Sequence, residues 1–167
     1  MDISIEQIIK VKQPEKARIF KALMLIACCL SGIFVIYAIG VLSLAILVVL
    51  TVILFRYYDA EYEYIFVDKS MDVDRIMARS SRRRMGSYDF SKLEIMAYAG
   101  HDKLETYERM NCKTCNYASG YNPDKEYVVF INNNGEMIKL IIEPNEKIID
   151  AIKHIDSRKV FLREENS

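Results

Sequence analysis

Between Lys21 and Arg56 the chain runs for 34 residues without a charged side chain, and Gly40 stands close to the midpoint. A bilayer core of roughly 30 Å is crossed by about 20 apolar residues rising 1.5 Å each. A single straight helix of that run would be about 51 Å long, more than tilt absorbs comfortably. Divided near Ile39-Gly40-Val41 and extended at both ends, the run yields two helices of near-spanning length, about 18–39 and 41–58. The expectation is a transmembrane helical hairpin over residues 17–58. Residues 1–16 precede it, and 59–167 remain for one soluble domain, enough for a single core.

Charge sets the orientation expected of such a hairpin. The formal net charge is zero, but residues 1–56 carry a balance of +3 and the remainder −3. Lys10, Lys12, Lys16, Arg18 and Lys21 precede the uncharged run, and the connector has no competing charge. Positive residues favour the cytoplasmic side, so both termini and the soluble domain are expected in the cytoplasm at the cell membrane. A single span would place the domain outside. The first apolar stretch lacks a polar cleavage region and runs straight into the second, which argues against a signal peptide. The balance is not that of a nucleic-acid binder.

Outside the apolar run, Ile5, Ile8 and Ile9 share a helical face, so the N-terminus reads as a short interfacial helix or a frayed end. After Arg56 the pattern turns to strands: Tyr62–Val67, Met71–Ala78, Met85–Asp89 and Leu93–Ala97, with Arg79–Arg84 as a polar turn. Residues 100–124 are irregular, with one short strand near Thr114–Tyr117. Glu126–Ile131 and Glu136–Ile142 flank Asn132-Asn133-Asn134-Gly135, the strongest hairpin signal in the chain. Glu143-Pro144-Asn145-Glu146 then opens an amphipathic helix with Ile148, Ile149, Ile152 and Ile155 on one face.

About seven strands closed by one helix are similar to the pleckstrin-homology-like barrel, a seven-stranded antiparallel barrel or sandwich capped by a C-terminal helix. Tyr64-Ile65-Phe66-Val67-Asp68, Ser80-Ser81-Arg82-Arg83-Arg84 and Asp89-Phe90-Ser91-Lys92-Leu93-Glu94-Ile95-Met96 resemble the first half of bacterial membrane-tethered forms of that domain. Glu143-Pro144-Asn145-Glu146 and Arg158-Lys159-Val160-Phe161-Leu162 further resemble an uncharacterised family of small Gram-positive bacterial membrane proteins. The resemblance implies a two-helix hairpin followed by a PH-like domain. It carries no activity, and a fold does not fix a function.

Local chemistry points to binding. Arg79, Arg82, Arg83, Arg84 and Lys92 surround one expected hairpin. Near a bilayer such a turn attracts anionic headgroups at about 1 kcal/mol per basic residue; in solution it is a solvated turn whose arginines pair Asp72, Asp74 or Glu94 at little gain. Cys112-Lys-Thr-Cys115 has the spacing of half a zinc site or a redox pair, but no second ligand pair accompanies it, so two unrelated thiols are expected. His101 and His154 stand apart from any nucleophile motif, and no glycine-rich phosphate loop occurs. No Asp, Glu, Lys, Arg or His lies at membrane depth, which disfavours an ion pathway.

The expectation is a non-enzymatic membrane protein without cofactor or metal. Its PH-like domain contacts a protein partner, anionic lipid or both, through a sheet edge or the loop 100–124. The alternative is an accessory subunit of a transport or export complex. Small residues such as Ala27, Ser31, Gly32, Gly40 and Ser43 suit close helix packing, within the hairpin or between copies of it.

Overall fold

A computed structural model describes residues 4–33, 38–78, 80–133 and 135–163, with only the backbone given for 38–40. The chain divides into two compact units. One comprises residues 1–11, 61–75 and 82–167 and contains the sheets; the other comprises 12–60 and 76–81 and contains a pair of helices with one turn.

The first element is a strand, β1 (Ser4–Lys10). It pairs antiparallel with β2 (Ala60–Val67), from Ser4 opposite Val67 to Lys10 opposite Glu61. The interfacial helix expected at the N-terminus is therefore corrected to a strand. Ile5 and Ile9 lie four residues apart, so they share a strand face as readily as a helix face, and the sheet decides between the two. The connection between β1 and its neighbour β2 contains both helices, so the helical pair is an insertion within the domain and not an anchor placed ahead of it.

That pair is α1 (Glu15–Ile33) and α2 (Ala38–Tyr58). They run antiparallel: Ser31 Oγ meets Ser43 Oγ at 2.9 Å, Cys28 Sγ lies 3.7 Å from Thr51 Oγ1, and Lys21 Nζ stands over the Phe55 ring. The break is not at Gly40 as expected, since α2 passes through Gly40; one helical glycine costs only about 1 kcal/mol relative to alanine. Among the described residues, one stretch, Val41–Tyr58, is long and apolar enough to cross a membrane. Helix α1 begins with Glu15, Lys16, Arg18 and Lys21, which shorten its apolar part. In the same unit the Ala78 N–H donates to the Asp59 carbonyl at 2.8 Å, and Ala78 takes a left-handed backbone (φ 50°) to close its turn.

The sheet unit departs from a single seven-stranded barrel. Strands β1, β2, β3 (Ser70–Met77) and β4 (Ser81–Asp89) form one sheet in sequence order. A second sheet has the order β6-β8-β7-β5-β9, from β5 (Leu93–Tyr98), β6 (Lys113–Asn116), β7 (Tyr127–Asn133), β8 (Glu136–Ile142) and β9 (Val160–Phe161). Two of its pairings, β6 with β8 and β9 with β5, are parallel, so the sheet is mixed. The Asn-Gly hairpin forms as expected, with Asn133 opposite Glu136 and Gly135 at φ 93°; Asn134 lies outside the described residues.

Between the sheets lies the main core: Tyr64, Phe66, Met71, Val73, Phe90, Met96, Val129 and Leu140. It is closed by Ile148 and Ile152 of the C-terminal helix, Glu146–Ile155, whose intervening neighbour along the chain, the four-residue helix Glu105–Glu108, belongs to the loop after β5. These become α4 and α3 respectively. Asn145 caps α4 by accepting from the Ile148 N–H at 3.0 Å, so Pro144 precedes the cap instead of sitting within the first turn.

The second sheet buries its other face as well. Ile95, Ala97, Val128 and Phe130 pack there against Leu104, with the Tyr107 ring 5.3 Å from that of Phe130. Burial on both faces explains the unbroken apolar run Tyr127-Val128-Val129-Phe130-Ile131, where alternation would otherwise be expected. The irregular stretch after Gly100 is thus partly a cover for the sheet.

Candidate functional site

The basic cluster is held differently from the expected turn. Arg82, Arg83 and Arg84 lie on β4, an edge strand; charged side chains there suit an edge that must resist pairing. Arg82 Nη2 stands 2.7 Å from Glu63 Oε2, at an angle outside hydrogen-bond geometry, and Arg82 Nε lies 3.9 Å from Asp74 Oδ2. Arg84 contacts Asp72 closely and approaches Asp74 Oδ1 at 3.9 Å. Glu63 and Asp74 are only 5% and 7% exposed, so these carboxylates depend on the guanidiniums for compensation. Arg82 and Arg84 are thereby committed to three acids. Arg83 is exposed. Lys92 ends the short turn after Asp89 and is itself engaged. Hydrogen bonds from the Ser91 hydroxyl and N–H hold the Asp89 carboxyl below its ordinary range. Arg79 lies outside the described residues.

The two thiols of Cys-Lys-Thr-Cys pack on opposite sides of the second sheet, Cys115 toward the main core and Cys112 toward the outer cluster. They do not form one site. Among the described residues no group of three or more His, Cys, Asp or Glu is placed to hold a metal. His101 caps a turn, its Nδ1 accepting from the Lys103 N–H at 3.1 Å, and its ring sits against Tyr98 and Phe161. His154 Nδ1 donates to the Asp150 carbonyl at 2.6 Å.

Sequence reasoning missed a buried polar chain and the cleft beside it. The Gln7 side chain donates to the Glu143 carbonyl at 2.8 Å and accepts from the Asn145 N–H at 2.7 Å, which fastens β1 to the start of α4. Glu143 Oε1 accepts from both the N–H and the hydroxyl of Ser119 (2.8 and 2.7 Å). The Glu143 N–H reaches the Tyr64 hydroxyl at 3.3 Å, which donates to the Tyr117 carbonyl at 2.7 Å. Tyr88 and Tyr117 join hydroxyls at 2.7 Å. Burial pushes the Tyr64 and Tyr88 hydroxyls well above the usual tyrosine range. A Cβ at Gly86 would overlap the end of the Tyr88 side chain, so a larger residue there would have to displace that ring. Next to this chain a cleft of about 800 Å³ opens between Gln7 and Ile9 of β1, Tyr127, and Ile149 and Asp150 of α4. Burial, then the charge of Glu143, raises the Glu126 carboxyl above its ordinary range. Gln7 was the available signal: it lies between Ile5 and Ile9 on the core side of a strand, where a polar group needs a partner.

In the helical unit a second pocket, of about 330 Å³, is lined by Gln13, Lys21, Phe55, Arg56, Asp59 and Ala78. Lys21 Nζ donates to Gln13 Oε1 at 2.9 Å, and Arg56 Nη2 to Ser80 Oγ at 3.4 Å.

A model of the family described as "Bacterial PH-like domain (DUF6106)" matches residues 1–162. The chain belongs to that family. The match starts ahead of β1 and ends beyond β9, so the family pattern of this bacterial PH-like domain includes the inserted helices as well as both sheets. No curated protein and no solved structure matches the chain.

Proposed function

We propose that this bacterial PH-like domain is a non-enzymatic binding module tethered to the cell membrane by its inserted helices, with the sheets and both termini in the cytoplasm. The observation that carries the proposal is the pairing of Lys10 with Glu61 on either side of an apolar helical pair. Residues paired in one sheet stand on the same side of any bilayer, so the chain between them crosses an even number of times. If α2 crosses, the preceding part of the uncharged run crosses as well. The exposed apolar side chains support a lipid environment: Leu23, Ile26 and Leu30 on α1, and Leu42, Val49 and Ile53 on α2. The excess of Lys and Arg flanking the run favours a cytoplasmic domain.

Family membership supports a binding role, and the cleft beside β1 and α4 has the volume expected for a few side chains of a protein partner or a small ligand. The test is alkaline carbonate extraction of membranes containing the full-length protein. Retention in the pellet until detergent is added supports the tether. Release into the supernatant by alkali alone would overturn it.

A further inference from the structure

Lys21 and Arg56 are the charged residues at the two ends of the uncharged run, and the antiparallel helices bring them into one pocket. Both are held in place: Lys21 by Gln13 and by the Phe55 ring, whose centroid lies 4.5 Å from Nζ, and Arg56 by Ser80. Neither forms an ion pair with a carboxylate among the described residues, although Asp59 shares the lining. Arg82 and Arg84 differ in this respect, being matched by Glu63, Asp72 and Asp74. Directly along the helices from the two cations, Leu23, Val52 and Phe55 are exposed. A ligand matching this surface is anionic at one end and apolar at the other.

We propose that the pocket formed by Lys21, Arg56 and Gln13 binds the phosphate of one anionic phospholipid, whose acyl chains lie along α1 and α2. The proposal rests on the membrane reading above. Arg56 supplies planar N–H donors, Lys21 a compact charge, and Gln13 a further amide. The aromatic rings of Phe55 and Tyr58, the second 5.8 Å from Lys21 Nζ, suit the interfacial depth of a headgroup. Selectivity for anionic lipid then resides at the foot of the helical pair and not on β4.

The test uses the full-length protein in nonionic detergent, with thermal unfolding followed during titration with short-chain phosphatidylglycerol, short-chain phosphatidylcholine or inorganic phosphate. Two cations near an anionic group give an expected preference of about thirtyfold for phosphatidylglycerol over phosphatidylcholine. The preference is expected to vanish in the Lys21→Gln/Arg56→Gln variant and to persist in Lys21→Arg/Arg56→Lys and in Arg83→Gln. Equal binding of both lipids, or an unchanged preference in the glutamine variant, would overturn the site. An equal shift with inorganic phosphate would overturn the lipid assignment in favour of a soluble anion. Alkaline extraction separates the two readings. A glutamine variant that stays in the membrane but loses selectivity supports both, whereas release of the wild type would remove the tether and this assignment with it.

Discussion

Arg82 and Arg83 are adjacent and carry the same charge, yet their surroundings give them different roles. Arg82 covers Glu63 and Asp74, which are almost wholly buried; removing it leaves Glu63 uncompensated and Asp74 with Arg84 alone. Arg82→Ala should cost about 2 kcal/mol, between the values for exposed and fully buried pairs. Arg83→Ala should be neutral in the same denaturant titration, and equal effects would contradict the contacts described. Glu126 supplies a pH dependence with a definite sign. Its folded pKa is raised, so its contribution to stability is full below the unfolded value and is lost as pH rises through the folded value. Glu126→Gln should therefore raise the melting temperature at pH 7 and leave it nearly unchanged at about pH 4. A stabilisation that is greater at the acidic end would have the wrong sign.

Among the elements, the local ones were legible. Asn-Gly between two β-rich runs specified the β7–β8 hairpin, and the spacing of Ile148 and Ile152 specified α4. What escaped were features set by distant partners. Strand β1 has only seven residues, and its partner lies beyond both helices, so nothing nearby distinguishes Ser4–Lys10 from a helical turn. Arg82–Arg84 read as a turn because edge strands carry the same charged residues that turns do. The outer cover of the second sheet, from Leu104 and Tyr107, lies in a stretch whose composition reads as a loop. The insertion topology has a direct consequence at this scale. A chain in which residues 12–59 are replaced by a short turn joining β1 to β2 should fold cooperatively as judged by circular dichroism and thermal unfolding. Residues 60–167 alone lack Ile9 and leave the Glu143 carbonyl and the Asn145 N–H without Gln7, so they should unfold at lower temperature or not fold. Equal stability of the two would show that β1 is dispensable.

In the molecule as a whole, two paired strands, β1 and β2, flank both helices along the chain. Because β1 and β2 are neighbours in one sheet, the proposed tether would cross the bilayer an even number of times whatever the exact length of α1. A partner bound by the sheets would then be held at the membrane surface, and the pocket at Lys21 and Arg56 would meet the headgroups on the same side. The most direct measurement is protease protection of the full-length protein carrying different epitope tags at its two termini, in right-side-out and inverted membrane vesicles. Both tags should be protected together in the first preparation and digested together in the second. Digestion of one tag with protection of the other, in either preparation, would contradict an insertion that leaves and returns on the same side.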